Sequence, residues 1–256
     1  MDIAKAAGNI ARLAGEELQA KLKVNGQKHI QEKDFGEAVT NFDREINQFI
    51  IEEIQVHFPD HDIVTEEAEL VDAGSKSDRW FIDPIDGTNN FIRSIPMYCV
   101  SVGYEHDGVL SAGAIYDPLN DMLFAGSLDE AKIDGQTMKV SMTPTVSESM
   151  IFEGFGYDPQ HKEKHINIAA EINRKTKYKR NLGSAALMLA YIAWGKGDGL
   201  VITGIKAWDC VAGIVLIRAA GGKVTNYEGD DWKPGDEMII ASNGKIHDEL
   251  LRIVKS

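Results

Sequence analysis

FIDPIDGTNNF (81–91) sets two acids, Asp83 and Asp86, after an apolar, strand-like run and just before Gly-Thr-Asn-Asn. Asp83 precedes Pro84, whose ring disfavours helical backbone at the residue before it, so residues 79–83 are expected to form a strand whose end carries the loop. Gly87 permits a tight bend, and the N–H groups of the turn that follows can receive an anion. An Asp-rich turn with helix caps would read the same way. The stretch therefore acquires chemical meaning only from what the rest of the chain supplies.

Around it lie 256 residues, 43% of them hydrophobic, enough for one large α/β unit or two small subdomains. Lys plus Arg number 27 against 40 Asp plus Glu, a formal charge of −13 that argues against nucleic acid or an anionic membrane as the main partner. Cys99 and Cys210 lie in apolar settings without CxxC spacing, and the opening MDIAKAAGNI has neither a basic n-region nor an apolar h-region. A reducing, cytoplasmic setting is expected. The most apolar window, 211–220, is interrupted by Arg218 and is too short to span a bilayer.

Helices and strands are intermixed along the chain. Ile3, Ala6, Ala7, Ile10, Leu13, Ala14 and Leu18 recur at helical spacing, as do Ile46, Phe49, Ile50 and Ile54 after Thr40. Residues 24–38 between them are polar and read as a mobile loop or loose hairpin. From 98 to 140, short apolar runs broken by Asp107-Gly108, Asp117-Pro118 and Asp134-Gly135 predict an antiparallel meander. Beyond a turn-rich boundary at 141–149 the pattern alternates: strands near 150–155, 199–203, 223–227 and 238–241, helices near 161–175, 184–194, 209–220 and 245–255, and a short strand before the second of these helices. Two subdomains are expected, an N-terminal α+β half over 1–145 and a C-terminal α/β half over 146–256.

Two further segments carry acids beside the opening motif. Thr65-Glu66-Glu67 follows the apolar run 62–64, again at a strand's end, and Ala207-Trp208-Asp209 begins a helix that closes in Ala219-Ala220-Gly221-Gly222. Each has an ordinary explanation: solvated glutamates in the first, and in the second an N-cap favoured by the helix dipole. Thr40 and Asp43 likewise suit the opening turn of a helix.

Taken jointly, VTNFD, TEE, DPIDGT and WD in this order resemble the inositol monophosphatase family, and the resemblance runs on through LGSAA (182–186) to AAGG (219–222). It implies a layered αβαβα sandwich and a Mg2+-dependent, Li+-sensitive phosphatase. Four carboxylates brought together repel by about 3 kcal/mol per pair at roughly 5 Å and an effective dielectric near 20, so a cation must sit among them. Oxygen-only ligands favour Mg2+, with Mn2+ a substitute, over zinc. By the resemblance, Glu66, Asp83 and the Ile85 carbonyl hold one ion and Asp83, Asp86 and Asp209 a second, with a third weakly held through Glu66; Ca2+ and Li+ are expected to inhibit. It implies direct attack by a metal-activated water with no phosphoenzyme, Thr88 orienting the water and Asp43 standing behind Thr88. The N–H groups of Gly87 and Thr88 would hold phosphate oxygens, Lys33 would close over the site, and Gly183, Ser184 and Ala185 would line the substrate side. Relatives of this kind are commonly dimers, so a homodimer acting on a small soluble phosphate is expected.

The departures bear on substrate. In inositol-specific relatives a glutamate stands six residues before the WD tryptophan, where this chain has Ile202, and the acid six before Asp43 is Glu37. Lys206 is placed to meet a second anionic group, which keeps fructose 1,6-bisphosphate, 3′-phosphoadenosine 5′-phosphate and NADP open beside inositol monophosphate. Three rival readings share parts of this pattern. A haloacid-dehalogenase-type phosphatase needs DxD, whereas the spacing here is DxxD with Ile85 at the place of the nucleophile; a non-catalytic divalent-cation-binding interaction protein shares the acids and differs in lacking turnover. His161 and His165 in HKEKH lack the glutamate of the zinc-protease pattern. Trp80 and Trp208 are expected to be core aromatics beside the site.

Overall fold

A computed structural model describes residues 2–24, 26–33, 37–71, 74 and 77–256, with the backbone alone at residue 69. The chain opens with α1 (Ile3–Val24), which buries Ala6, Ala7, Ile10, Ala11, Ala14 and Leu18 along one stripe, and α2 (Asn41–His57), which buries Phe42, Ile46, Ile50 and Ile54. α2 is capped from both sides: the Phe42 N–H donates to Thr40 Oγ1 at 3.2 Å, and the Thr40 N–H donates to the Asp43 carboxylate at 2.8 Å. Between the helices, β1 (Ile30–Glu32) and β2 (Ala38–Thr40) pair antiparallel. The hairpin reading of 24–38 thus holds for the flanks, while 25 and 34–36 lie outside the described residues.

The first sheet comprises β3 (Asp62–Thr65), β4 (Glu69–Val71), β5 (Asp78–Asp86), β6 (Cys99–His106), β7 (Val109–Asp117), β8 (Met122–Ser127), β9 (Ala131–Ile133) and β10 (Gln136–Thr137), in the order β10-β9-β8-β7-β6-β5-β3-β4. Its meander turns where the aspartates announce it: Asp107-Gly108 and Asp134-Gly135 all take positive φ, as primed hairpin turns demand. At the Asp117-Pro118 turn the left-handed residue is Asp121 instead, and Asp117 holds the loop by accepting from the N–H groups of Leu119 and Asn120 at 3.0 and 3.1 Å.

The second sheet comprises β11 (Met150–Phe155), β12 (Tyr178–Arg180), β13 (Gly199–Thr203), β14 (Lys223–Thr225) and β15 (Met238–Ser242), in the order β12-β11-β13-β15-β14. The remaining helices are α3 (Thr88–Ile92), α4 (Pro159–Lys175), α5 (Ala185–Ala193), α6 (Ala207–Ala219) and α7 (His247–Val254). α5 and α6 lie between the sheets: Leu187, Leu189, Val211 and Leu216 share one core cluster with Phe81 and Phe124 of the first sheet and with Leu200 and Ile239 of the second. Apolar surface all round these two helices suits burial on two sides. α1 and α2 cover the first sheet's outer face, and α4 and α7 cover the second sheet's. The layers run αβαβα, as the resemblance implies.

Three local expectations are corrected. β5 does not stop at Asp83 but continues through Pro84 to Asp86, because the ladder is interrupted there: Asp83 pairs with Ser101 and Asp86 with Cys99. Three residues on β5 thus span two on β6, a bulge that accommodates a proline with no N–H to donate. α6 begins two residues earlier than 209, with Lys206 as N-cap and Asp209 at the third helical position, accepting from the Lys206 N–H at 2.9 Å. Trp80 is buried but not beside the site; it lies on the sheet's opposite face, 4.8 Å from the Tyr104 ring and 5.3 Å from Phe58, with Nε1 donating to His61 Nδ1 at 3.1 Å.

Candidate active site

The bulge in β5 sets the face on which the paired acids lie. Along a regular strand, residues three apart face opposite sides of a sheet. One extra residue restores the alternation, so Asp83 and Asp86, opposite Ser101 and Cys99, share the face that packs toward α5 and α6. Immediately after them Gly87 turns the chain with φ +95; a Cβ there would stand 2.8 Å from the Met97 carbonyl oxygen and 3.1 Å from that of Gly183. No other residue fits this turn without moving backbone.

A cavity of about 490 Å³ opens between the two sheets' ends, and Glu37, Glu66, Asp83, Asp86 and Asp209 all line it. Asp83 is buried and accepts the Ile85 N–H at 2.9 Å. Asp86 lies at the start of α5, accepting from the N–H groups of Ala185 and Ala186 at 3.1 and 2.8 Å and from the Ser184 hydroxyl. The Cys99 thiol lies 3.6 Å from the same carboxylate. Gly183, Ser184 and Ala185 do line the cavity, and two of them spend their donors on Asp86. Thr88 Oγ1 is placed between two acceptors, 3.1 Å from Asp43 Oδ1 and 3.0 Å from the Ile85 carbonyl oxygen. Asp43, 1% exposed, keeps its other oxygen for the Thr40 N–H and hydroxyl, so its capping duty and its contact with Thr88 use different atoms.

Burial raises Glu66, Asp83, Asp86 and Asp209 above the usual carboxylate range. Asp83 is held well above the usual carboxylate range by burial and then by Glu66, and Glu66 by burial and its hydrogen bond with Glu37. Burial raises Asp86 despite the hydrogen bonds from Ser184, Ala186 and Ala185. Asp209 is pushed up to about 8 by burial and by the charge of Asp86. Burial, seconded by Asp86, keeps the Cys99 thiol protonated. Such a group is costly as four anions and is relieved by protons or by cations.

Lys33 reaches this acidic group. Its ammonium lies 2.6 Å from Glu67, 3.2 Å from Glu66 and 3.5 Å from Glu37. Burial would lower its pKa, but Glu66 and Glu67 outweigh burial and hold it above the ordinary lysine value. Lys33 engages Glu66 and the α5 start engages Asp86, and among the described residues no three His, Cys, Asp or Glu side chains close into a ready metal-binding group. The donors nonetheless fit a hard divalent cation: carboxylate and carbonyl oxygens that burial has made eager for positive charge, with no imidazole or thiolate among them. Lys206 and Trp208 also line the cavity, Lys206 with its side chain exposed.

Sequence reasoning missed His161, Glu237, Tyr157 and Asn89, which line the same cavity, with Asn89 Nδ2 donating to the Tyr157 hydroxyl at 2.7 Å. No local pattern marks them; HKEKH singled out His161 only as half of a metal pair. His165, the other half, is buried instead beside Glu153, 3.4 Å away.

The chain is similar to known proteins in sequence and fold. The inositol monophosphatase family model matches residues 1–256. A Thermotoga maritima protein described as fructose-1,6-bisphosphatase/inositol-1-monophosphatase is 36% identical over 222 residues, covering 86% of this chain and 83% of its own. Among solved structures, the extragenic suppressor protein suhB of Bartonella henselae superposes with a TM-score of 0.93 at 30% identity, covering 100% of this chain and 99% of that one. The inositol monophosphatase of Anabaena (Nostoc) superposes with a TM-score of 0.86 at 36% identity, covering 99% and 95%.

Proposed function

The chain belongs to the inositol monophosphatase family and is an enzyme of the phosphoric monoester hydrolase class, and from that premise we propose that it releases phosphate from a small soluble monoester with Mg2+ as its cofactor. The observation that carries this reading is the convergence of Glu66, Asp83, Asp86 and Asp209, from three separate segments, on one cavity beside the Thr88–Asp43 hydrogen bond. Glu66, Asp83, Asp86, Asp209 and the Ile85 carbonyl would hold the cations. When bound, divalent cations supply charge neutralisation for the phosphate and acidify the attacking water. Everything else falls to the chain. Thr88, whose proton is directed to Asp43 or the Ile85 carbonyl, keeps its oxygen lone pairs for a water and so orients that water's attack on phosphorus. Asp43, raised above the usual range by burial, is the acceptor behind it for proton density passed through Thr88. The N–H groups at 87 and 88 would receive the phosphate oxygens, and Gly183, Ser184 and Ala185 would bound the substrate. Lys33 would bring a positive charge to the phosphate side, and Lys206 would bring another to the leaving group.

Among the described residues no helix is long and apolar enough to cross a membrane. A soluble homodimer in the cytoplasm remains part of the proposal. The test is a phosphate-release screen in Mg2+ over inositol phosphates, fructose 1,6-bisphosphate, 3′-phosphoadenosine 5′-phosphate and NADP, with and without lithium. Turnover that requires Mg2+, is lowered by lithium and is abolished in a folded Asp86→Asn variant supports the reading. Metal binding without turnover on any of these substrates would overturn it in favour of a cation-binding interaction protein.

A further inference from the structure

Beyond the acids, the cavity's opposite wall is built where β13 and β15 end side by side. Ile202 pairs with Ile239 and Thr203 with Met238, and the last contacts of the ladder are from the Gly204 and Ile205 N–H groups to the Glu237 carbonyl, at 2.5 and 3.1 Å. Glu237 is thereby anchored to the loop that leads directly into Lys206, Trp208 and Asp209. His161, in the first turn of α4, closes this corner. Its carbonyl accepts the Thr203 hydroxyl at 2.9 Å, and its Nε2 lies 3.3 Å from Glu237 Oε2. The imidazole lies against Gly204, where φ is +77 and a Cβ would stand 2.6 Å from the ring's Cγ. Glycine at 204 is what admits the ring. The result is a positioned carboxylate: the His161 side chain is 19% exposed, and Glu237, 64% exposed, lines the cavity.

The surroundings state which leaving group this suits. Ile202 and Met188 line the cavity here and offer no hydrogen bond, so polar recognition falls to the rim. A second phosphate would meet the carboxylates of Glu237 and Asp158 on a protein of charge −13, with Lys206 alone to offset them among these rim residues. Hydroxyl groups would instead donate to Glu237, a charged acceptor. Resting on the phosphatase reading above, we propose that Glu237, positioned by His161, selects a polyol or sugar monophosphate by accepting hydrogen bonds from the leaving group's hydroxyls and disfavours substrates bearing a second anionic group.

The test compares kcat/KM of the full chain in Mg2+ on three probes: inositol 1-phosphate, the hydroxyl-free p-nitrophenyl phosphate, and fructose 1,6-bisphosphate. In Glu237→Ala the ratio of inositol 1-phosphate to p-nitrophenyl phosphate falls about tenfold, the worth of one hydrogen bond to a charged acceptor, while the ratio of fructose 1,6-bisphosphate to p-nitrophenyl phosphate rises. His161→Ala moves the first ratio the same way, chiefly through KM, and His161→Gln, which keeps a donor for Glu237, restores most of it. Equal losses on all three probes, an unchanged ratio in Glu237→Ala, or a fall for the bisphosphate would overturn the assignment while leaving the phosphatase reading intact. A wild-type chain that hydrolyses none of the probes removes both.

Discussion

Asp209→Asn removes a charge from the acidic group and keeps the oxygen that accepts the Lys206 N–H at 2.9 Å, so the start of α6 stays capped. Asp209 titrates at about 8 in the fold against 3.8 in an exposed chain. Between those values the folded state holds a proton that the unfolded state has released, so in chelator this residue makes stability fall as pH rises from about 4 to 8. At pH 6 it is neutral in the fold but ionised in the unfolded chain, so the variant already leads by the linkage accrued since about pH 4. At pH 9 it is charged, and its repulsion with Asp86 is worth about 3 kcal/mol at roughly 5 Å and a dielectric near 20. Relaxation and water reduce that to about 1–3 kcal/mol, which at roughly 2–4 °C per kcal/mol widens the variant's lead in melting temperature by about 2–12 °C between pH 6 and 9. Thermal denaturation in chelator from pH 6 to 9 therefore shows the variant drawing further ahead of wild type as pH rises. Adding Mg2+ reverses the order, because wild type is stabilised by ion binding and the variant has lost a ligand. Melting curves that coincide at pH 9 in chelator would refute the reasoning that these carboxylates strain one another.

Thr88→Val keeps the shape of the side chain and deletes its hydroxyl; phosphate release should fall by about 10²–10⁴-fold, with a stability cost near 1 kcal/mol from the lost bond to Asp43, and activity within threefold of wild type would disprove the assigned role. Gly87→Ala places a Cβ against two backbone carbonyls at a left-handed position, so urea denaturation should show a loss of about 2–4 kcal/mol, and an unchanged midpoint would mean the turn is looser than described. Far from the site, burial, with Lys223, lowers His247 to about 4, and its ring nitrogens meet Thr225 Oγ1 at 3.0 Å and Ser242 Oγ at 2.9 Å. The unfolded chain binds that proton below about 6.5 and the folded one does not, so this residue withdraws up to about 3 kcal/mol of stability as pH falls from 6.5 to 4. His247→Gln should flatten that limb of the stability curve, and parallel curves would count against it.

Short-range information in the sequence sufficed for most of the elements and for singling out the acids. Helical periodicity marks α1 and α2, Asp-Gly pairs mark two hairpin turns, Glu66 and Asp86 stand at strand ends, Asp83 stands just before the bulge and Asp209 at a helix start. Those features depend on a residue and its nearest few companions. What depends on pairing across the chain was decided by the folded structure: the bulge that brings Asp83 and Asp86 to one face, the α5 donors that hold Asp86 from about a hundred residues away, the ammonium of Lys33 drawn to Glu66 and Glu67, and the corner where His161 meets Glu237. Trp80 shows the limit plainly, since an apolar neighbourhood in sequence places it in a core without saying which face of the sheet that core covers. Register and face are settled by which apolar surfaces bury one another, and that choice is made among distant segments, where no local pattern of residue types can express it.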